Sequence, residues 1–398
     1  MKLKTSSFVA IVVALLAVLA LLAWAVPYFF SGVALPESLG PGFGAGTSRA
    51  RVVDIIEQGE VTLGDVTQGY QIMRVELLEG DYEGLLMEID YGRRQLISDG
   101  QTFVPGEEIL VTLGKRPDGV LTAYYAERVR QKPLLWLLLA FVVSTIILSG
   151  WKGARSLLAL AFSLAVIIGY IIPHILSGED PVRVSVIGSA VLLGVTLYVT
   201  YGWTLKTHAS VLAMVLALLL TGGLTWIFAS LTRLTGIGTE DALFLLQMPD
   251  VKINIRGLML GGMIIGALGV LDDLVTSQSS AVFELHHADP AMGFRDLFRR
   301  GLRIGQDHIA ATVNTLVLAY VGSSLPMLML FTLARSDWSK IVNFELIAVE
   351  VVRALVGSLG LIYAVPIATG IAGWLAINRG RLGQAAHLLG PEGAGHSH

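Results

Sequence analysis

Two adjacent carboxylates, Asp272 and Asp273, stand in a stretch that otherwise reads as membrane-spanning, GALGVLDDLVTSQSSAVFEL at 266–285. Thr276, Ser277, Gln278, Ser279 and Ser280 follow them. On a helix, Asp273, Ser277, Ser280 and Glu284 share one face, with Asp272, Thr276 and Ser279 on the neighbouring stripe. Such a face is rich in oxygen, which suits hard cations or protons. An ionisable residue inside a span is expensive and faces a bundle interior or a water-filled path. Two adjacent acids need not both be ionised, so one can load and release a proton, as relays in pumps do. Asp272 and Asp273 are therefore the expected ion site and the candidate metal ligands, with H+, Na+ or a divalent cation as the ion.

Other polar residues gather in the two spans that follow. Arg303-Ile304-Gly305-Gln306-Asp307-His308 precedes Thr312, Asn314 and Thr315 in an apolar run. Asp307 and Asn314 are seven residues apart and share a face; Asn314, about two turns in, is the better candidate for the site. Glu350 and Arg353, three apart, can pair with each other. Alternatively Arg353 balances Asp273 across the bundle or receives an anion. Ser277, Gln278, Ser280, Thr276, Asn314, Arg353 and Glu350 complete the expected site. His286-His287 is a weak metal pair, because adjacent helical residues face different ways. The tail His396-Ser397-His398 reads as a disordered end rather than a metal site.

The elements that must hold these residues are membrane helices. The chain has 398 residues, 54% hydrophobic and 15% charged, where a soluble domain carries about 25% charged residues. A net charge of −3 offers nothing to a nucleic acid. The absence of cysteine excludes disulfides, thiolate catalysis and cysteine metal sites. Apolar runs of spanning length occur near 8–30, 134–150, 155–176, 182–203, 209–231, 257–284, 309–333 and 346–376. The first is longer than a signal peptide's apolar core and reads as an uncleaved anchor. With the N-terminus in the cytoplasm, internal loops carry Lys152 and Arg155, Lys206 and His208, and Arg295, Arg299, Arg300 and Arg303. Both termini are then cytoplasmic.

Residues 47–131 differ. Short alternating runs at 71–78, 85–89, 108–113 and 121–129 are separated by turn signals at Glu79-Gly80-Asp81, Ser98-Asp99-Gly100 and Pro117-Asp118-Gly119. They predict a small all-β barrel or sandwich outside the cytoplasm, entered through a linker at 40–46. The expected fold class is thus a polytopic α-helical membrane protein of about eight transmembrane helices, with a barrel-like all-β domain inserted after the first. Its parts are an anchor (1–32), the β domain (47–131), a seven-helix membrane domain (133–378) and a cytoplasmic tail (379–398). Spans two to five hold almost no charge between 134 and 231 and read as scaffold. In span six, Gly257, Gly261, Gly262, Gly266 and Gly269 allow close helix packing or, alternatively, break the helix before the acids. Leu297, Phe298, Leu302 and Ile304 interleave with arginines between 285 and 308, predicting a short basic amphipathic helix on the anionic inner leaflet. Pro326 and Pro366 each predict a kink.

Arg256-Gly257-Leu258, then Ile265 to Asp273, then Ser277-Gln278-Ser279-Ser280, resembles the YibE/F-like family of bacterial membrane proteins. Gly301, Gly305, Asp307-His308, Asn314 to Tyr320 and Leu325-Pro326 are similar to that family's next motif. The two motifs lie at 257–285 and 301–326 in a resemblance over roughly 130–376. It implies a multi-pass bacterial inner-membrane protein, taken to be a transporter, with no certain substrate. It also implies Asp273 rather than Asp272 as the family's acid. The expected function is a secondary transporter, an exporter of a small ion or metabolite coupled to protons or cations. No nucleotide-binding signature suggests ATP drive. The alternatives are an intramembrane enzyme acting on a lipid or peptide, or a non-transporting receptor or assembly factor. Expected partners are the lipid bilayer, the ion or metabolite, and further copies of the chain in a homo-oligomer.

Overall fold

The computed structural model describes residues 47–97, 102–115, 120–248, 252–333 and 337–382. The expected anchor, the 40–46 linker, the turns at Ser98-Asp99-Gly100 and Pro117-Asp118-Gly119, and the terminal histidines lie outside them. The chain divides into two compact units, one ending at Ser144 and the other beginning at Thr145.

The first unit is a five-stranded antiparallel sheet in the order β3-β2-β1-β4-β5. Its strands are β1 (Thr47–Leu63), β2 (Val66–Leu77), β3 (Leu86–Tyr91), β4 (Glu108–Lys115) and β5 (Leu121–Arg128). Four follow the alternating runs. The longest, β1, does not, because register shifts between Val52 and Asp54 and between Ile55 and Glu57 break its period of two. β1 turns into β2 at Gly64-Asp65, where Gly64 takes a φ of 62° that a two-residue hairpin requires. The sheet is nearly closed: Tyr91 of β3 meets Tyr125 of β5 edge to face at 4.9 Å. Val52, Met73, Val75, Ile89, Phe103, Ile109 and Val111 fill its interior. Two buried glutamines latch a loop over it. Gln68 Nε2 donates to the Gly92 and Gln95 carbonyls while its Oε1 accepts from Ile97 N–H. Gln71 exchanges hydrogen bonds in both directions with the Phe103 backbone. A cavity of about 440 Å³ beside them has both amides already committed.

The helices are α1 (Gln131–Val166), continued through a π-helical turn to Leu176, α2 (Pro181–Tyr201), α3 (Leu205–Leu231), α4 (Glu240–Gln247), α5 (Ile255–Ala288), α6 (Phe294–Ser323), α7 (Leu325–Leu333), α8 (Trp338–Ile341) and α9 (Glu345–Asn378). Among the described residues, five are long and apolar enough to cross a membrane: Gln131–Leu176, α2, α3, α5 and α9. The pair α6 and α7 qualifies together across a 61° bend. Two expected spans, 134–150 and 155–176, share Gln131–Leu176, which loses helical geometry only at Gly150 (φ 55°, ψ −135°). The bend between α6 and α7 falls just before Leu325-Pro326, where proline denies the helix a backbone donor. At Pro366, by contrast, α9 stays one helix.

Two expectations are corrected. The glycines before the acids do not break the helix, since α5 is continuous from Ile255 to Ala288. They serve packing: a Cβ at Gly261 would collide with Ser185 Oγ, and one at Gly257 would lie 3.2 Å from Pro181 Cδ, so α5 and α2 touch there. The basic amphipathic segment is not a separate helix either. It forms the first turns of α6, since nothing after Gly293 interrupts helix geometry until Ser324. The core of the second unit joins Leu192 and Leu197 of α2, Met214 of α3, Leu271 and Val275 of α5, Leu316 of α6 and Leu361 and Val365 of α9.

Candidate functional site

A cavity of about 430 Å³ lies between α1, α2 and α5, and both aspartates line it. Asp180 caps α2, accepting from Arg183 N–H at 2.9 Å with Pro181 at the first turn. Asn254 caps α5 in the same way through Gly257 N–H. The close glycine contacts then hold these helices together at one end. Farther along, a Cβ at Gly269 would meet nothing within 4 Å, because the helix surface there faces the cavity. One turn later come Asp272, half-buried, and Asp273, exposed on the cavity side.

The other polar lining residues are Ser156 and Ser163 of α1 and Thr196, Thr200 and Tyr201 of α2. Sequence reading missed all five, having taken α1 and α2 as scaffold. The available signal was faint: single hydroxyls in apolar runs. That reading is corrected, since these two helices supply most of the wall. The hydroxyls follow one rule. Ser163 donates to the Ala159 carbonyl at 2.9 Å and Thr196 to the Leu192 carbonyl at 2.8 Å. With their protons committed to the backbone, their lone pairs remain as acceptors. Among the described residues, no lysine, arginine or histidine lines the cavity. Its polar surface is therefore carboxylate and hydroxyl oxygen, which attracts a hard cation or a proton and repels an anion.

The expected stripe of polar residues on α5 splits up. Only Asp272 and Asp273 reach the cavity. Past them, α5 outruns α2, which ends at Tyr201 with its hydroxyl 3.5 Å from Thr276 Oγ1. Thr276 is buried and donates to the Asp272 carbonyl at 2.8 Å; Ser277 and Ser280 donate to the Leu274 and Thr276 carbonyls. Glu284 is exposed beyond the cavity.

Gln278 does not line the site. Fully buried, it donates through Nε2 to the Gly301 carbonyl and to Thr369 Oγ1, each at 2.8 Å. It thereby ties α5 to α6 and α9. Gly301 and Gly305 allow the approach: a Cβ at Gly305 would overlap Val365 and lie 2.9 Å from Gln278 Oε1. Asn314 is likewise not in the site but exposed on the outer face of α6. Arg353 does not face Asp273. Its guanidinium pairs with Glu350 at 2.7 Å, and it lines spaces with Gly262, Gly266 and Val270 on another face of α5. Among the described residues no three histidine, aspartate or glutamate side chains converge as a metal cluster.

The glycine-rich acid motif and the Gly301/Gly305 motif thus meet through Gln278, on helices packed in one core. The chain matches the YibE/F-like proteins over residues 137–378. It belongs to the YibE/F-like family. The match begins within α1 and ends with α9, taking in every helix that lines the cavity. No curated protein and no solved structure shows a significant match to this YibE/F-like chain.

Proposed function

We propose that this YibE/F-like protein is a secondary transporter coupled to a proton or hard cation, with Asp272 and Asp273 as its ion-carrying groups. The observation that carries the reading is the cavity between α1, α2 and α5, whose polar lining among the described residues is oxygen and includes both acids. Unpaired carboxylates at membrane depth are costly, and their regular use is in ion pathways. The family resemblance favours Asp273, but Asp272 is half-buried where Asp273 is exposed, and that burial favours Asp272 as the primary ion carrier. The substrate exchanged against that ion is a small ion or metabolite, with export as its direction. Arg353 lies outside this pathway, so an anionic substrate held by Arg353 is not part of the proposal.

The test uses the full chain in proteoliposomes containing a pH-sensitive dye, with imposed gradients of sodium, potassium, magnesium and manganese applied in turn. A cation gradient is expected to drive proton movement, or a proton gradient cation movement. Asp272→Asn abolishes this and Asp273→Asn weakens it. Undiminished flux in Asp272→Asn would sink the assignment.

A further inference from the structure

The outer face of α6 carries an arrangement that the cavity does not use. Asp307, Ala311, Asn314, Leu318 and Val321 are all exposed, Leu318 at 60% and Val321 at 43%. Their spacings of 4, 3, 4 and 3 residues place them on one straight stripe, the repeat by which helices supercoil around each other. The opposite side of α6 is committed to the protein's own core through Leu302, Ile309, Val313, Leu316 and Tyr320. Asn314 therefore stands at the depth of that core yet points away from it. An asparagine amide facing hydrocarbon leaves two donors and an acceptor unsatisfied, and membrane helices use such groups to hydrogen-bond across helix interfaces.

We propose that this stripe is a homo-oligomeric interface, in which α6 packs in parallel against α6 of a second copy with Asn314 opposite Asn314. The amide is both donor and acceptor, so two copies related by a two-fold axis satisfy each other at the same depth. Apolar Leu318 and Val321 interdigitate above it, and small Ala311 lets the backbones approach below. Toward the end of the stripe, Arg303 precedes Asp307 by one turn and is also exposed, so each guanidinium can meet the partner copy's carboxylate. The chain's own apolar run at 8–30 is a poorer occupant. It carries no hydrogen-bonding side chain from Phe8 to Ala23, so it offers Asn314 nothing to bond.

The absence of cysteine makes the test direct, because a single introduced thiol can form a disulfide only with another copy. Asn314→Cys and Leu318→Cys are placed in otherwise unaltered full-length protein and oxidised in native membranes. The control is Leu219→Cys on α3, which is 65% exposed. Both stripe variants are expected to give a dimer-mass product several-fold above the control. Asn314→Ala, measured by light scattering in mild detergent, should weaken association about three- to twentyfold, and Asn314→Gln should restore most of it. A monomeric mass for the unaltered protein, or cross-linking no greater than that of Leu219→Cys, would overturn the proposal. So would a disulfide within one chain between Asn314→Cys and Leu16→Cys, which would assign the stripe to the chain's own first apolar run.

Discussion

Gln278 offers a sharp separation of structural from functional polarity in the membrane region. Its Nε2 makes two 2.8 Å hydrogen bonds, to the Gly301 carbonyl and Thr369 Oγ1, in a fully buried position. In a soluble core each bond would contribute about 1 kcal/mol, and between membrane helices about 0.6 kcal/mol. The Gln278→Leu variant keeps the volume and loses about 1–2 kcal/mol. Neither former partner is orphaned, because the Thr369 hydroxyl still donates to the Val365 carbonyl and Gly301 stays in its helical ladder. Gln278 Oε1 has no partner among the described residues, so its removal offsets part of the loss. Gln278→Ala adds a cavity between α5, α6 and α9, which raises the total to about 3–4 kcal/mol. At roughly 2–4 °C per kcal/mol, thermal unfolding in detergent should fall by a few degrees for leucine and about twice as far for alanine. Ion flux per folded molecule should survive in Gln278→Leu. A leucine variant with unchanged unfolding temperature and no flux would refute the assignment of Gln278 as a tie and put it back on the ion path.

Three further outcomes concern the packing of the helices and of the sheet. Gly305→Ala drives a methyl into Val365 and Gln278, so it should destabilise by about 1–3 kcal/mol in the same unfolding assay; a neutral result would mean that α6 and α9 are not pressed together. Arg353 and Glu350 form a part-exposed pair, so a double-mutant cycle with Arg353→Gln and Glu350→Gln should give a coupling of about 0.5–1 kcal/mol, and Arg353→Gln should retain flux. Loss of flux in Arg353→Gln as complete as in Asp272→Asn would contradict its place outside the cavity. In the β unit, burial holds the Tyr91 and Tyr125 phenols above their ordinary value of 10.0. The unfolded chain therefore loses these protons first, and the sheet's stability should be fully present below that pH and fall above it, as followed by tyrosine absorbance during alkaline unfolding.

The sequence carried the membrane class, the sheet unit and the acid pair, because each has a strong local signature: long apolar runs, alternation between turns, and carboxylates where none is expected. It did not carry β1, whose two register shifts scramble the alternation. Nor did it carry the partners of the acids. Ser163 and Thr196 are single hydroxyls in apolar helices, and only the three-dimensional arrangement of α1, α2 and α5 places them in one cavity lining with Asp272. Gln278 and Asn314 show the converse. Both are polar residues in a membrane helix, which sequence reading assigns to a site. Rotation about the helix axis instead sends one into a three-helix contact and the other to the outer face. Helical periodicity tells which residues share a face, but what that face meets depends on where neighbouring helices end, as α2 does at Tyr201.

The central claim is that Asp272 and Asp273 line a water-filled cavity, and thiol accessibility tests it whatever the substrate. Because the chain has no cysteine, Thr196→Cys and Ser163→Cys report on the cavity wall, and Ser279→Cys, at 0% exposure, reports on the packed core. A membrane-impermeant maleimide applied to one side of intact membranes should label the two cavity variants and spare Ser279→Cys. Equal silence at all three positions, in protein that labels after denaturation, would mean a dry interior around the acids and would contradict the ion-path account.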